Sequence, residues 1–402
     1  MCTGILSFMQ DIPIGREYFP ILEDRVFLNW ASLSPLSLLS HDAARDLLDM
    51  FHTPGKVTQS VQGRMEELKM QASRLFGTET ERIAVVGTST TQAMQVALDA
   101  IEPHEGQNIV TGDIEFPSTG AEMQKWRRRG VEIRVLKSRL GAYLPDDVGR
   151  LVDSSTSAVV LSSVNWVNGY RNEIERISKI VHEMDSYLVL DAVQHMGAMP
   201  LNCDRVGADF ICAGSQKFML NPLGAAIMYA GRRAVEQLHP PSYTISNCSV
   251  PEEGWDRYFG NAGRDIFVEY TPLGTAARFE FGGWLNYSGI VSLTETLRLL
   301  NHVGSEEIRE KIINLSNHLR REMEVKGFQC ISPRDREHMS SISTFSLEKE
   351  ADGLKLTSRL KEKGVEVSFR GSAGMQGLRV ALHYFNNESD IDRFVETLCS
   401  LT

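Results

Sequence analysis

Three short stretches hold residues whose types and spacing suit chemistry on a carbonyl. In "LVLDAVQHMGAMP", residues 188–200, an aliphatic run leads into Asp191, followed by Gln194 and His195. Such a run reads as a buried strand of a parallel sheet. A buried strand rarely ends in an unpaired carboxylate, because a desolvated charge is costly; Asp191 therefore asks for a positive partner. In "DFICAGSQKFMLNPLGAAIMY", residues 209–229, Lys217 lies between two apolar strands. Lysine is the side chain that forms Schiff bases with carbonyls. In "VVGTSTTQAMQVAL", residues 85–98, Gly87 to Thr91 lead into an amphipathic helix. Small hydroxyl residues at a helix N-terminus make an anion site from backbone N–H groups, hydroxyls and the helix dipole. The same stretch also reads as an ordinary N-cap, and it lacks the P-loop pattern.

The three pieces share a chemical logic. Pyridoxal phosphate needs an anion site for its phosphate, a lysine for its aldehyde and an acid facing its pyridine nitrogen. Asp191 suits the last role: its charge would keep the ring nitrogen protonated, and the pyridinium would hold Asp191 ionised. Removing one partner of such a buried pair costs about 3–5 kcal/mol.

The elements that must position these residues follow from the apolar pattern. Candidate strands are 83–86, 108–111, 131–135, 158–161, 188–191, 209–212 and 226–229, with helical patterns between most of them. This β/α alternation predicts an α/β fold with a mostly parallel seven-stranded sheet, whose ligands sit beyond the strands' carboxyl ends. Residues 232–283 are irregular, rich in Pro, Gly and aromatics. Two helical patterns follow, at 284–300 and 305–325, and then an alternation of strands and helices. The expected organisation is an N-terminal arm over residues 1–40, a large domain over 41–283 and a smaller α+β domain over 284–402.

Composition excludes several classes. The chain has 402 residues and a formal net charge of −10, which argues against a protein built to grip nucleic acid. Its cysteines, at 2, 203, 212, 248, 330 and 399, form no C-x-x-C pair and no zinc-spaced cluster, so no metal is expected and the thiols read as reduced. No apolar run reaches membrane-span length and no signal peptide is evident. A cytoplasmic enzyme is expected.

"DAVQHMGAMPLNCDRVGADFICAGSQKFMLNPLGAA" resembles the signature of the class-V aminotransferase family, fold-type-I pyridoxal-phosphate enzymes. The resemblance runs from "VFLNWASLSPLS" to "LRVALHYFNNESDIDRFVETL". It implies a catalytic Lys217 that binds the cofactor and moves the substrate α-proton. It places Asp191 on the pyridine nitrogen, Gln194 on the phenolic oxygen, and Thr90, Thr91 and Gln216 around the phosphate. Phe116 would stack on the ring, and Arg379 would grip the substrate carboxylate through its bidentate fork. Asn29 and Ala31 fall where relatives line the substrate pocket. The resemblance also implies an amino acid substrate and a homodimer with shared active sites. Read alone, Phe116 fits a core position, Arg379 an exposed strand position, and His195 a structural cap of the sheet.

Departures narrow the reading. Sulfur-transferring members carry a loop cysteine before the substrate arginine, and "VSFRGSAGMQGLR", 367–379, has none. They also place histidines where this chain has Phe116 and Gln216. Many relatives have Asn at Trp166; the neighbouring Asn165 or Asn168 is the expected substitute. The expected function is α-proton abstraction from an amino acid, with transamination ahead of epimerisation or β-elimination and cysteine desulfuration disfavoured. A catalytically inactive regulatory homologue is the alternative of another class.

Overall fold

The computed structural model describes residues 16–249, 254–283, 285–347 and 350–401; Cys2, Trp284 and the start of the expected N-terminal arm lie outside them. In chain order the strands are β1 (Val26–Phe27), β2 (Ile83–Val85), β3 (Asn108–Gly112), β4 (Glu132–Leu136), β5 (Thr156–Ser162), β6 (Tyr187–Asp191), β7 (Phe210–Gly214), β8 (Ala226–Ala230), β9 (Ile342–Ser346), β10 (Val365–Glu366), β11 (Ser368–Ser372) and β12 (Met375–Ala381).

The seven apolar runs expected as strands form one sheet, ordered β2-β8-β7-β6-β5-β3-β4. Only β8 runs against its neighbours, β2 and β7; the other pairings are parallel. The central strands read as unbroken apolar runs because both faces are covered. Along β5, Val159 and Leu161 enter one apolar core, while Ala158 and Val160 enter the other.

Local sequence sets the helices at the edge that matters. Ser89 caps the helix Thr90–Ile101 by accepting from the Gln92 amide at 3.3 Å. Pro117 opens the helix Pro117–Arg127, where its missing N–H costs nothing. Between β7 and β8 the chain closes on itself. The Ser215 amide donates to Ala225 O at 2.9 Å, and the Asn221 amide to Ser215 O at 2.9 Å. Lys217 rides on that closed loop.

Two smaller sheets stand beside the large one: antiparallel β11-β12-β9 and the parallel pair β1-β10. The turn of the β11-β12 hairpin places Ala373 and Gly374 at φ 50° and 79°, the positive-φ pair that a tight hairpin turn demands. The helix Tyr287–Val303, which sequence reading grouped with the C-terminal region, packs on the helices Leu38–Met50 and Pro54–Phe76. Its Ile290, Leu293, Leu297 and Leu300 complete a core of the large sheet. Among the described residues no helix is long and apolar enough to cross a membrane.

One close approach ties the turn after β6 to the lysine loop. Gly197 has φ 89°, and a Cβ there would meet Phe218 O at 2.2 Å. Gly197→Ala is expected to destabilise the fold by about 2 kcal/mol or more, combining backbone strain with a main-chain clash. Urea denaturation checks this; an unchanged midpoint would mean that the two segments separate freely.

Candidate active site

Five segments that follow strands of the large sheet converge on one cavity. Thr90 follows β2, Phe116 follows β3, Trp166 follows β5, Asp191 ends β6 and Lys217 follows β7. The cavity holds about 270 Å³. Its lining includes Ala31, Thr90, Thr91, Phe116, Asp191, Gln194, Gln216, Lys217 and Arg379 from the sequence-derived set. It also includes Ser32, Trp166 and Arg370, which sequence reading did not assign to the site.

Asp191 is buried, and its Oδ1 accepts from the Val193 amide at 2.9 Å. Burial raises its pKa, opposed by the positive charge of Lys217 and by the Val193 amide. Lys217 is pushed down to about 8, chiefly by burial; Asp191 opposes this, and Arg379 and Arg370 add to it. Among the described residues no carboxylate comes within ion-pair distance of Lys217. Its Nζ stands 5.5 Å from the centroid of the Phe116 ring. Phe116 is itself 43 % exposed, so it is a cavity wall and not a core residue. Trp166 meets it edge-on at 5.5 Å.

The helix Thr90–Ile101 points its N-terminus into the same space. The Thr90 hydroxyl accepts from the Gly214 amide at 2.9 Å, which leaves its own proton to donate. A Cβ on Gly214 would come 2.3 Å from Gln216 Oε1, so glycine is what lets Gln216 lie against the helix start.

At the other end is Arg379, only 2 % exposed. It donates to Ser368 Oγ at 3.2 Å, Trp166 O at 2.7 Å and Ser32 Oγ at 2.8 Å. Burial lowers its pKa to about 9, with Arg370 adding to the effect. Arg379 is therefore not an exposed strand arginine, the alternative that its residue type alone left open.

Two of the expected substrate-pocket residues lie elsewhere. Asn165 is fully buried, donates to Gly141 O and accepts from Asn172 Nδ2 at 3.0 Å; its amide is committed to holding loops. Asn29 bridges to Ala381, and its Oδ1 accepts from Ser32 Oγ at 2.7 Å. It stands one residue behind the lining, with Ser32 between it and the cavity. Asn168 donates to Leu140 O at 3.2 Å and is likewise occupied. At the Trp166 position it is the main-chain carbonyl that bonds toward the site, accepting from Arg379 at 2.7 Å. His195 is buried between Ser163 Oγ and Pro200 O, each at 3.2 Å, and burial drops its pKa to about 3. It is a neutral structural residue.

The cavity's own atoms show what it fits. Gln194 Oε1 and Gln216 Oε1 are buried acceptors without a hydrogen-bond partner; a ligand hydroxyl would satisfy the first, and a half-turn of the Gln216 amide would present its N–H to an anion. A buried acid without a paired cation, a buried amine, and a helix start with free hydroxyl donors match a pyridine nitrogen, an aldehyde and a phosphate. The donor set therefore fits pyridoxal phosphate, and the fold and site together define a fold-type-I pyridoxal-phosphate enzyme.

Comparisons with known proteins narrow this further. Residues 50–394 match the model of the family "Aminotransferase class-V", and the chain belongs to that family. A probable cysteine desulfurase of Methanothermobacter thermautotrophicus is 23% identical, over 98% of this chain and 98% of that protein. Isopenicillin N epimerase of Streptomyces clavuligerus is 22% identical, over 82% of each chain. Among solved structures, the cystine C–S lyase C-DES in complex with its product cysteine persulfide superposes with a TM-score of 0.83 at 18% identity, covering 94% of this chain and 98% of that one. Apo cysteine desulfurase from Thermococcus onnurineus NA1 gives 0.81 at 17% identity, covering 96% of each. At these identities the structural likeness establishes the fold. The chain is a class-V pyridoxal-phosphate enzyme.

Because Lys217 titrates near 8, apoprotein should take up pyridoxal phosphate at a rate that climbs with pH and levels off above about 8. Only the neutral amine attacks an aldehyde, and its fraction falls about tenfold per pH unit below the pKa. Stopped-flow absorbance measures the rate. A rate that does not change with pH would contradict the assignment of a buried, low-pKa lysine.

Proposed function

We propose that the protein is an aminotransferase that removes the α-proton of an amino acid, with Lys217 as the base. The observation that carries this reading is the placement of one low-pKa amine in a cavity between a buried acid and a buried arginine. Asp191 would hold the pyridine nitrogen, Gln194 the phenolic oxygen, and Thr90, Thr91 and Gln216 the phosphate. Bound there, the cofactor supplies an electron sink for the bond broken at the α-carbon. Arg379 binds and orients the substrate carboxylate; its three neutral hydrogen-bond partners fix the guanidinium plane and leave its charge for the ligand. Phe116 and Trp166 wall the cavity from water. Lys217, neutral at working pH in a useful fraction, accepts the α-proton at Nζ and returns it.

The choice among reactions rests on what else lines the cavity. Epimerisation through a second base needs another group that titrates near neutrality. The remaining ionisable groups in the lining are Asp191, Glu122, Arg370 and Arg379, of which Asp191 is matched to the ring and the arginines to anions, while Glu122 accepts from Gln95 Nε2 at 2.8 Å and lies 3.6 Å from Lys125 Nζ. Sulfur transfer needs a thiol, and no cysteine among the described residues lines the cavity; Cys203, Cys212 and Cys248 are buried elsewhere. Where desulfurases carry their loop cysteine, this chain folds the β11-β12 hairpin. A catalytically silent homologue would have no need to keep Lys217 and Arg379 buried at such cost. A homodimer, implied by the family resemblance, also agrees with the exposed apolar run Ile266, Phe267 and Val268.

Lys217→Ala is expected to abolish the borohydride-reducible link to the cofactor and to lower amine transfer by about a thousandfold or more. The assay mixes enzyme with an amino acid and a keto-acid acceptor, then follows cofactor absorbance and keto-acid release. A reducible link in the variant would remove Lys217 from its role. Pyruvate or sulfide release without an acceptor would replace transamination with elimination. Light scattering tests the dimer; a fully active monomer would refute it.

A further inference from the structure

Arg370 has no role in the reaction as described, yet it stands in the cavity wall. Hairpin register explains how it gets there. Ser368 pairs with Arg379 and Arg370 with Gly377, so residues two apart on each strand face the same side and the two arginines are diagonal neighbours. They converge on one hydroxyl: Ser32 Oγ accepts from Arg379 Nη2 at 2.8 Å and from Arg370 Nη2 at 3.4 Å. The second anchor of Arg370 is its neighbour's carbonyl, Phe369 O, at 2.8 Å. Among the described residues neither guanidinium has a carboxylate partner. Each is held by neutral acceptors, and desolvation depresses both. Arg370 also lines a second, more open groove formed by the hairpin turn and Trp166, so it marks the junction between the catalytic cavity and its mouth.

A buried and a half-buried guanidinium side by side repel each other, and among the described residues neither has a carboxylate counter-ion. Neutral acceptors hold the two guanidiniums in place but leave their charge unmatched, and a ligand that brings negative charge would relieve it. Arg379, the more buried of the two, serves the α-carboxylate. Arg370, nearer the mouth, remains for a second anion on the same ligand. Because one hydroxyl spans the two guanidiniums, the anions must be close together, as at the two ends of a short carbon chain.

We propose that the substrate is a short dicarboxylic α-amino acid, of the length of aspartate or glutamate, whose side-chain carboxylate is bound by Arg370. This rests on the reading of Arg379 as the α-carboxylate site and extends it to the substrate's other end. The structure supplies both charges from one hairpin, so the pair moves as a unit.

Equilibrium binding tests this without turnover. Succinate, glutarate and butyrate are titrated into the cofactor-loaded enzyme by calorimetry. A dicarboxylate is expected to bind about tenfold or more tighter than butyrate, as one extra charge-assisted contact would give. In Arg370→Gln that ratio should collapse to roughly one, and Arg370→Lys should keep part of it as a point charge. Cofactor absorbance reports that each variant is folded and loaded. Equal binding of butyrate and dicarboxylates by the wild type would overturn the proposal. So would an Arg370→Gln variant that weakens all three ligands by the same factor, because the two arginines would then share one carboxylate. Failure of the proposed function looks different: an enzyme in which Lys217 forms no reducible link, whatever its preference among carboxylates.

Discussion

The site is organised by two buried charges of opposite sign that do not pair with each other. Asp191 and Lys217 lie in one cavity, each influences the other's titration, and yet no ion pair joins them. Direct contact would satisfy both groups and leave nothing for a ligand to do. Kept apart, both carry the cost of desolvation: the carboxyl is pushed up and the amine is pushed down to about 8. The surrounding sheet makes this tolerable. β6 is held on one side by β5 and on the other by β7, and Asp191 also accepts from the Val193 amide. The strand cannot move to bring acid and amine together. The strain is therefore available as binding energy for a group that carries a cation toward one charge and a carbonyl toward the other.

The same principle governs the cationic end. Arg379 is held by a serine hydroxyl, a backbone carbonyl and a second serine hydroxyl. These acceptors fix the plane of the guanidinium without neutralising it. Replacing any of them by a carboxylate would stabilise the empty fold and occupy the charge meant for a ligand. Both ends thus sacrifice stability in the same way, by satisfying hydrogen bonds with neutral groups and leaving charge unmatched.

Much of this was legible in the sequence, and the reasons differ by element. The seven strands of the large sheet were readable because parallel strands covered on both faces have continuous apolar runs. Asp191 and Lys217 stood out because charge is rare at the ends of such runs. The strand-to-helix turn also read as an ordinary N-cap, and it was the family resemblance that singled out Thr90 and Thr91. Arg370, Ser32 and Trp166 were not, because they come from three distant segments that meet only when the sheets assemble. A hint existed for Arg370: the Ala-Gly turn at 373–374 fixes the hairpin register, and that register places Arg370 on the same face as Arg379. Asn29 and Asn165 were named from their place in segments shared with relatives, and such a place does not say where an amide is committed. One holds Ser32 and the other holds Gly141 O. The helix Tyr287–Val303 was grouped by its place in the chain, whereas its apolar face belongs to the large sheet.

The Lys217 end and the Arg379 end of the cavity come from different sheets, so something must hold the distance between them. Residues 26–34 do this. β1 pairs with β10, and the Ala381 amide donates to Leu28 O at 2.8 Å, which fastens this segment to the strand that carries Arg379. A few residues on, Ala31 O accepts from Gln194 Nε2 at 3.1 Å, and the Ser34 amide donates to Gln216 O at 2.8 Å. Between these points Ser32 touches both arginines. One short segment, with a turn at residues 30–32, is thus bonded in turn to the arginine strand, to the turn after β6, to the arginines and to the lysine loop. Its residues need little side-chain chemistry of their own, because backbone groups make most of these contacts. Their effect is to make the separation of Lys217 and Arg379 a property of a continuous hydrogen-bonded segment and not of two sheets packed loosely side by side. In the proposed reaction, where the carboxylate is held while a proton leaves the neighbouring carbon, that fixed separation would orient the bond to be broken.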